Sequence, residues 1–377
     1  MFSAHLLPSM LLAIPGILSL VTALPAPLEA SHNLSKRWYG VVQAPADPKS
    51  GTGVYTWPVT ERDPIRGNLA PIWYCFEDVY SAKTLTPIVR QAIQKWRPAL
   101  SPNSAVVIGL HPECRGNGTR ICKSLKHGDD ALVISDERKP EGSPLSTTDY
   151  NYKDQEAGRH YIRFRGIGGD QTENELVRSM AHELGHVIGL AHEHQREGRD
   201  RAGLVVHSKS MADYYQAKTK VIDDKAAPEF AHITNDANGD RKMALVLQNP
   251  DLAKEYSIGE AINFMKGSQI GGEYLGFQEG GPFDWQSIML YSSWQGAASL
   301  PNSAAPSSAS SEGNEEDAID EEPSHPSISR AVIVREGADG REHAIFQGGS
   351  YDASLAKPSR GDVQRVIALY PKRQNKS

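Results

Sequence analysis

Cysteine is scarce in this chain, with Cys75, Cys114 and Cys122 the only three among 377 residues. Three cysteines cannot staple a scaffold of this length, so the fold must rest on a hydrophobic core, which such a chain can build as one large domain or two modest ones. A basic excess is missing too. The formal net charge is −6, so we expect no nucleic-acid footprint. Beyond Val21 no stretch is long and apolar enough to cross a bilayer. There is no internal repeat. Bases are absent from the segment carrying Glu312, Glu315, Glu316, Asp317, Asp320, Glu321 and Glu322. Those seven acids account for the negative charge, and the rest of the chain is near neutral.

What is present begins with a targeting segment. Leu6 to Val21 is almost continuously apolar, and Val21-Thr22-Ala23 ends it with small residues where a signal peptidase reads. The alternative is a membrane anchor, against which Pro8, Pro15 and the short span speak. We expect a signal peptide over 1–23, a propeptide over 24–37 and a secreted product. Lys36-Arg37 suits a dibasic processing protease that would leave Trp38 first, though a plain surface pair reads the same way. In an oxidising compartment Cys114 and Cys122 are near enough in sequence to close a small loop, leaving Cys75 as a buried free thiol in the run Pro71–Phe76. Asn117-Gly118-Thr119 is a glycosylation sequon.

Residues 38–70 are rich in Pro and Gly and read as an extended lead-in. Strands are expected at Ile72–Phe76, Ala105–Leu110 and Ala131–Ser135, and a helix at Thr84–Trp96. His160–Arg165 alternates polar and apolar, which suits an edge or half-exposed strand. After Gly166, Gly168 and Gly169 comes a well-signalled helix. Thr172 and Glu175 form a capping box, Leu176, Met180, Ala181, Leu184, Val187 and Ile188 an apolar face, and Gly189 a left-handed end. Helical stretches are expected near Ser208–Val221 and Leu252–Met265, a disordered acidic insertion at about 296–328, and a last helix at Arg360–Tyr370. Asp236-Ala237-Asn238-Gly239-Asp240 hints at a calcium loop, but its Gly is misplaced and no Glu follows at the right distance, so it reads as a turn.

The decisive stretch is His182-Glu183-Leu184-Gly185-His186-Val187-Ile188-Gly189-Leu190-Ala191-His192. On a helix, His182 and His186 leave the same face and can meet one metal ion. Glu183 sits one step round, where its carboxylate reaches a water held by the metal. Gly189 permits a sharp turn, which brings His192 back as a third nitrogen ligand. Three neutral imidazoles and a water make an open, catalytic zinc site, with one Zn2+ per chain. Glu183 is then the base that takes the proton as water attacks a peptide carbonyl.

His182 to His192 matches the metzincin motif HExxHxxGxxH, and the continuation Glu193 to Asp200 resembles that of the astacin family, with Gly198 where Asp is usual. Ser287-Ile288-Met289-Leu290-Tyr291 is similar to the astacin Met-turn, with Leu290 in place of the common His, and Phe283-Asp284-Trp285 resembles its lead. Trp57, Pro58 and Ile72–Phe76 resemble the family's entry strand, and Ser359–Pro371 its closing helix. The resemblance implies an α+β fold: a two-lobed catalytic domain over 38–377, with a twisted N-terminal sheet, two long helices and an irregular C-terminal lobe. It implies a secreted zymogen, a zinc endopeptidase acting as a monomer on proteins or peptides, with no membrane partner. It places Met289 beneath the metal and Tyr291 as a switching ligand that stabilises the oxyanion, the alternative for Tyr291 being a core aromatic. Glu193 is expected to contact the mature N-terminus, and 161–164 to pair with substrate backbone, unless it is an ordinary exposed strand. Residues 24–37 lack the Asp with which astacin propeptides usually block zinc, so either latency works differently or the prosegment runs further, through Asp47. The competing function is an inactive binding module on the same fold.

Overall fold

The computed structural model describes residues 38–40, 56–63, 67–117, 120–122, 131–137, 147–148, 160–165, 171–224, 227–267, 278–280, 282–293, 295, 330–350 and 352–372. All belong to one compact unit, Ser35–Ser377. The expected signal peptide, the propeptide and the acidic insertion lie outside the described residues. So do Gly118 and Thr119 of the sequon, whose Asn117 ends a short helix.

The first half is a sheet backed by two helices. Strand β1 (Trp38–Gly40) is followed by β2 (Glu61–Asp63) and the long β3 (Gly67–Phe76). Helix α1 (Val79–Trp96) starts five residues before the expected Thr84, because Asp78 caps it by accepting from the Ser81 amide. Then come β4 (Val106–Leu110), α2 (Pro112–Asn117), β5 (Leu132–Asp136), β6 (Thr147–Thr148), β7 (Tyr161–Phe164) and α3 (Glu173–Ile188). The sheet runs β2-β3-β5-β7-β6, with β4 also on β3. Strands β3, β4, β5 and β7 are mutually parallel, and β2 and β6 are antiparallel additions. Parallel strands need covered faces. Helix α1 supplies Leu85, Ile88, Val89, Ala92 and Trp96 to the same core as Ile72, Phe76, Ile134, Ile162 and Phe164, and α3 adds Met180, Leu184 and Ile188.

The second half holds its own core. Its elements are β8 (Leu204–Val206), α4 (Tyr214–Asp223), α5 (Asp240–Val246), α6 (Pro250–Glu255), α7 (Glu260–Asn263), β9 (Gln278–Gly280), β10 (Ile333–Glu336), β11 (Glu342–His343) and α8 (Arg360–Leu369). Strands β11, β10 and β8 form a small antiparallel sheet, and β9 pairs with β1. Leu204, Tyr214, Phe230, Met243, Tyr256, Phe264 and Ile333 gather in this core, whereas α8 returns to the first through Val366 and Leu369. The expected turn at 236–240 is a turn. Asp236 accepts from the amides of Arg241 and Lys242 and starts α5.

Two expectations are corrected. The disulfide joins Cys75 to Cys122, and Cys114 is the buried free thiol. Residues 120–122 lie alongside the end of β3, where the Phe76 amide donates to the Arg120 carbonyl at 2.8 Å. That sets the Cα atoms of 75 and 122 only 5.1 Å apart, within bridging range. Nearness in sequence favoured Cys114, but α2 turns it into the core, where burial raises its thiol pKa. Residues 161–164 are not an edge either. Thr147–Thr148 pairs outside them, opposite Arg163 and Ile162.

Candidate metal centre

The histidines are set by both ends of α3. At its start the Thr172 hydroxyl accepts from the Glu175 amide at 3.3 Å, and the Thr172 amide donates to Glu175 Oε2 at 2.8 Å, the expected capping box. At its end Gly189 takes φ 113°, a left-handed value that favours glycine. Its amide donates to Gly185 and His186 carbonyls, and the chain then reverses toward His192. Two carbonyls of the last turn are capped from afar. Trp57 Nε1 donates to Val187 O at 2.7 Å and Tyr370 Oη donates to Ile188 O at 2.8 Å.

His182, His186 and His192 meet, all buried. Their Nε2 atoms stand 3.1, 3.1 and 2.9 Å apart in the three pairs. Each Nδ1 faces an oxygen: Ile288 O at 2.8 Å for His182, Leu190 O at 2.8 Å for His186, and Gln195 Oε1 at 3.2 Å for His192. An Nδ1–H spent on such an oxygen leaves Nε2 with a bare lone pair. Three lone pairs facing one another repel unless a cation sits among them. The spacing suits zinc, since two nitrogens each about 2.05 Å from a tetrahedral zinc lie roughly 3.3 Å apart. Burial lowers His182 to about 4, and takes His186 and His192 well below the ordinary histidine value, helped by their neighbours. All three rings are therefore neutral at pH 7, the state in which imidazole ligates a metal.

Glu183 is buried beside His182, and desolvation pushes its carboxyl up to about 8. Beneath the helix lies Met289. A Cβ added at Gly185 would overlap its Sδ and come within 3.1 Å of Trp96 Cζ2. The Tyr291 ring centroid lies 4.4 Å from that of His192 and 5.8 Å from that of His182, and its side chain is buried in the second core. Leu290 is fully buried in the second core.

No family model matches the chain, and no curated protein matches it. Solved structures do. One is high choriolytic enzyme 1, a hatching enzyme zinc-protease from the medaka fish Oryzias latipes, at TM-score 0.39 and 13% identity, covering 84% of this chain and 95% of that one. Two structures of myroilysin are also similar. One has TM-score 0.37 and 13% identity, over 85% of this chain and 97% of that one; the other has 0.34 and 14%, over 88% and 100%.

Other residues hold the site without having been legible beforehand. Gln195 bridges His192 to the Asn263 carbonyl, which also accepts from His194 Nε2 at 2.7 Å. Its position three residues after a ligand was a usable signal. Gln347 reaches His182 from far along the chain, and nothing local marks it. Glu193 has partners other than the expected N-terminus: it accepts from Arg196 Nη1 at 2.6 Å and the Asp284 amide at 2.8 Å. Burial pushes its carboxyl up to about 7 although Arg196 pulls it down. Its amide donates to Met289 O, tying the third ligand's segment to the turn below.

Proposed function

We infer that this chain is a zinc-dependent endopeptidase of the astacin-like metzincin type, made with a signal peptide over 1–23 and a propeptide over 24–37, and secreted as a zymogen. One observation carries the reading: three buried imidazoles turn their Nε2 lone pairs to a common point while each Nδ1 faces an oxygen. The Cys75–Cys122 bridge supports an oxidising destination, and no helix among the described residues is long and apolar enough to cross a membrane.

His182, His186 and His192 would hold one zinc ion. When bound, zinc supplies a Lewis acid that polarises a peptide carbonyl and brings the pKa of a water toward about 7. Burial alone raises the Glu183 carboxyl; with the ion's positive charge beside it the group would ionise, take the proton of the attacking water and pass it to the leaving amine nitrogen. Tyr291, packed against His192, donates its hydroxyl proton in a hydrogen bond to the developing oxyanion. Substrates are proteins or peptides, and the enzyme works as a monomer.

The test is cleavage of casein by the purified mature protein, with and without a chelator, beside Glu183→Ala. We expect one zinc per chain in both proteins, chelator-sensitive cleavage by the parent, and a loss on the order of 10²–10⁴ in rate for the variant. Undiminished cleavage by Glu183→Ala refutes the assigned base. Zinc-loaded parent protein that cleaves nothing favours the binding module instead.

A further inference from the structure

Beside the second core lies a cleft of about 410 Å³ that is separate from the metal centre, since none of His182, Glu183, His186, His192 and Tyr291 lines it. Its volume falls in the range of roughly 300–1,000 Å³ usual for ligand sites. Part of the wall is aromatic. Phe283 and Trp285, both partly buried against the second core, stand with ring centroids 4.6 Å apart. The stretch after the third histidine supplies Arg196, Gly198 and Arg201.

The charge in this cleft is of one sign. No acid lines it, and at Gly198, where aspartate is usual in the sequences this stretch resembles, the chain has no side chain to offer. Arg196 is neutralised, its Nη1 2.6 Å from Glu193 Oε1. Arg201 is exposed and has no acidic partner among the described residues. A third guanidinium comes from β10, where Arg335 Cζ lies 5.0 Å from the centre of the Trp285 ring. The neighbouring carboxylates are held elsewhere: Asp200 by Lys266 and Arg199, and Asp284 by the Ser359 hydroxyl and the Gln286 amide. Glu336, next along β10, alternates to the other face of its strand.

A guanidinium stacked on an aromatic ring uses its face and keeps its in-plane N–H groups for a carboxylate. Arg335 is thereby oriented before any ligand arrives, and Arg201 adds a second positive charge at the same cleft. We propose that the cleft is a docking site for an acidic segment of a separate protein chain. A carboxylate of that segment meets Arg201 and Arg335, and the apolar residue beside it lies on Phe283 and Trp285. The site goes beyond the zinc reading and stands without it. In a protease it selects substrates by a segment other than the one cut.

The probe is a fluorescein-labelled peptide, Leu-Glu-Leu-Glu-Gly. Its anisotropy is followed on the full mature protein carrying Glu183→Ala, which spares the probe from cleavage. The counterpart Leu-Gln-Leu-Gln-Gly has the same shape without the charge. We expect the acidic peptide to bind about tenfold more tightly than its counterpart. Arg201→Gln and Arg335→Gln, each confirmed as folded by circular dichroism, should weaken it about three- to tenfold. Arg90→Gln removes a like charge from the exposed side of α1 and should leave the affinity within about twofold. Peptides that bind equally, arginine variants no weaker than Arg90→Gln, or no binding at millimolar peptide overturn the proposal. Replacing Glu315, Glu316, Asp317 and Asp320 by their amides tests for an occupant within the chain. Unchanged affinity supports a separate partner, whereas a clear tightening means that the chain's own acidic stretch competes for the cleft and overturns it. Should either arginine variant fail to fold, the comparison of the two peptides decides. Binding is read without turnover, so its failure leaves the zinc reading untouched, and a chain without zinc sinks that reading alone.

Discussion

Among the residues of the site, Gly185 is the one whose chemistry is an absence. It stands between the first two ligands on α3, and Met289 fills the space a side chain would take, with Trp96 behind. Both neighbours are buried, so an added methyl group must move them. Gly185→Ala is expected to destabilise the fold by about 1–3 kcal/mol in denaturant titrations. The same substitution made on Met289→Ala should cost much less, because the overlapping sulfur is gone. That non-additivity is the discriminating result. Equal costs in both backgrounds would mean that Met289 does not occupy the glycine's missing side-chain volume. A residue-scale effect on the metal is expected at Gln195, which holds His192 Nδ1 at 3.2 Å. Gln195→Ala should weaken zinc binding roughly tenfold, read by chelator competition, and an unchanged affinity would remove Gln195 from the site.

At the scale of elements, what could be read ahead was what the chain encodes locally. Helix α3 is written within 17 residues, from Thr172 to its end at Ile188, and the glycine that follows fixes the reversal to His192. Those signals rest on spacing and backbone freedom, so they survive without tertiary knowledge. Partners brought in by tertiary packing were not legible. Trp57 and Tyr370 cap the end of α3 from separations of 130 and 182 residues. Cys122 reaches Cys75 only because 120–122 lies along β3, and β6 covers β7 through two residues that carry no strand pattern. The caps can be tested. Tyr370→Phe keeps the ring but leaves the buried Ile188 carbonyl unpaired, and should cost about 1–3 kcal/mol of stability. Gly189→Ala forces a side chain into the left-handed region at about 1–2 kcal/mol, and it should also weaken zinc binding by disturbing the path to His192. A Gly189→Ala protein of parental affinity would separate that turn from the metal.

For the molecule as a whole, the segment 287–291 is where two cores meet. Ile288 and Met289 pack with the sheet and α3, and Leu290 and Tyr291 with the second core. This junction is fastened to the last helix by one carboxylate. Asp362 accepts from the Ser287 hydroxyl at 2.7 Å, the Ile288 amide at 2.9 Å and the Ser359 amide at 2.9 Å. The Ile288 carbonyl in turn receives His182 Nδ1, so α8 bears on the metal ligands through a single strand of hydrogen bonds. Burial pushes the Asp362 carboxyl up to about 6, and the neighbouring Asp284 carboxylate adds to the push while the three donors oppose it. An acid whose folded pKa exceeds its unfolded value near 4 binds its proton more tightly in the fold. The cost of ionising it is therefore fully present above about pH 6 and fades as pH falls toward 4. Asp362→Asn cannot titrate. The unfolding free energy of the parent relative to this variant should rise by about 2–3 kcal/mol between pH 7 and pH 4, read from urea titrations of both proteins at matched pH. Parallel stability curves across that window would mean that Asp362 ionises in the fold as freely as in the unfolded chain, and that the junction is not held by a carboxylate that burial has strained.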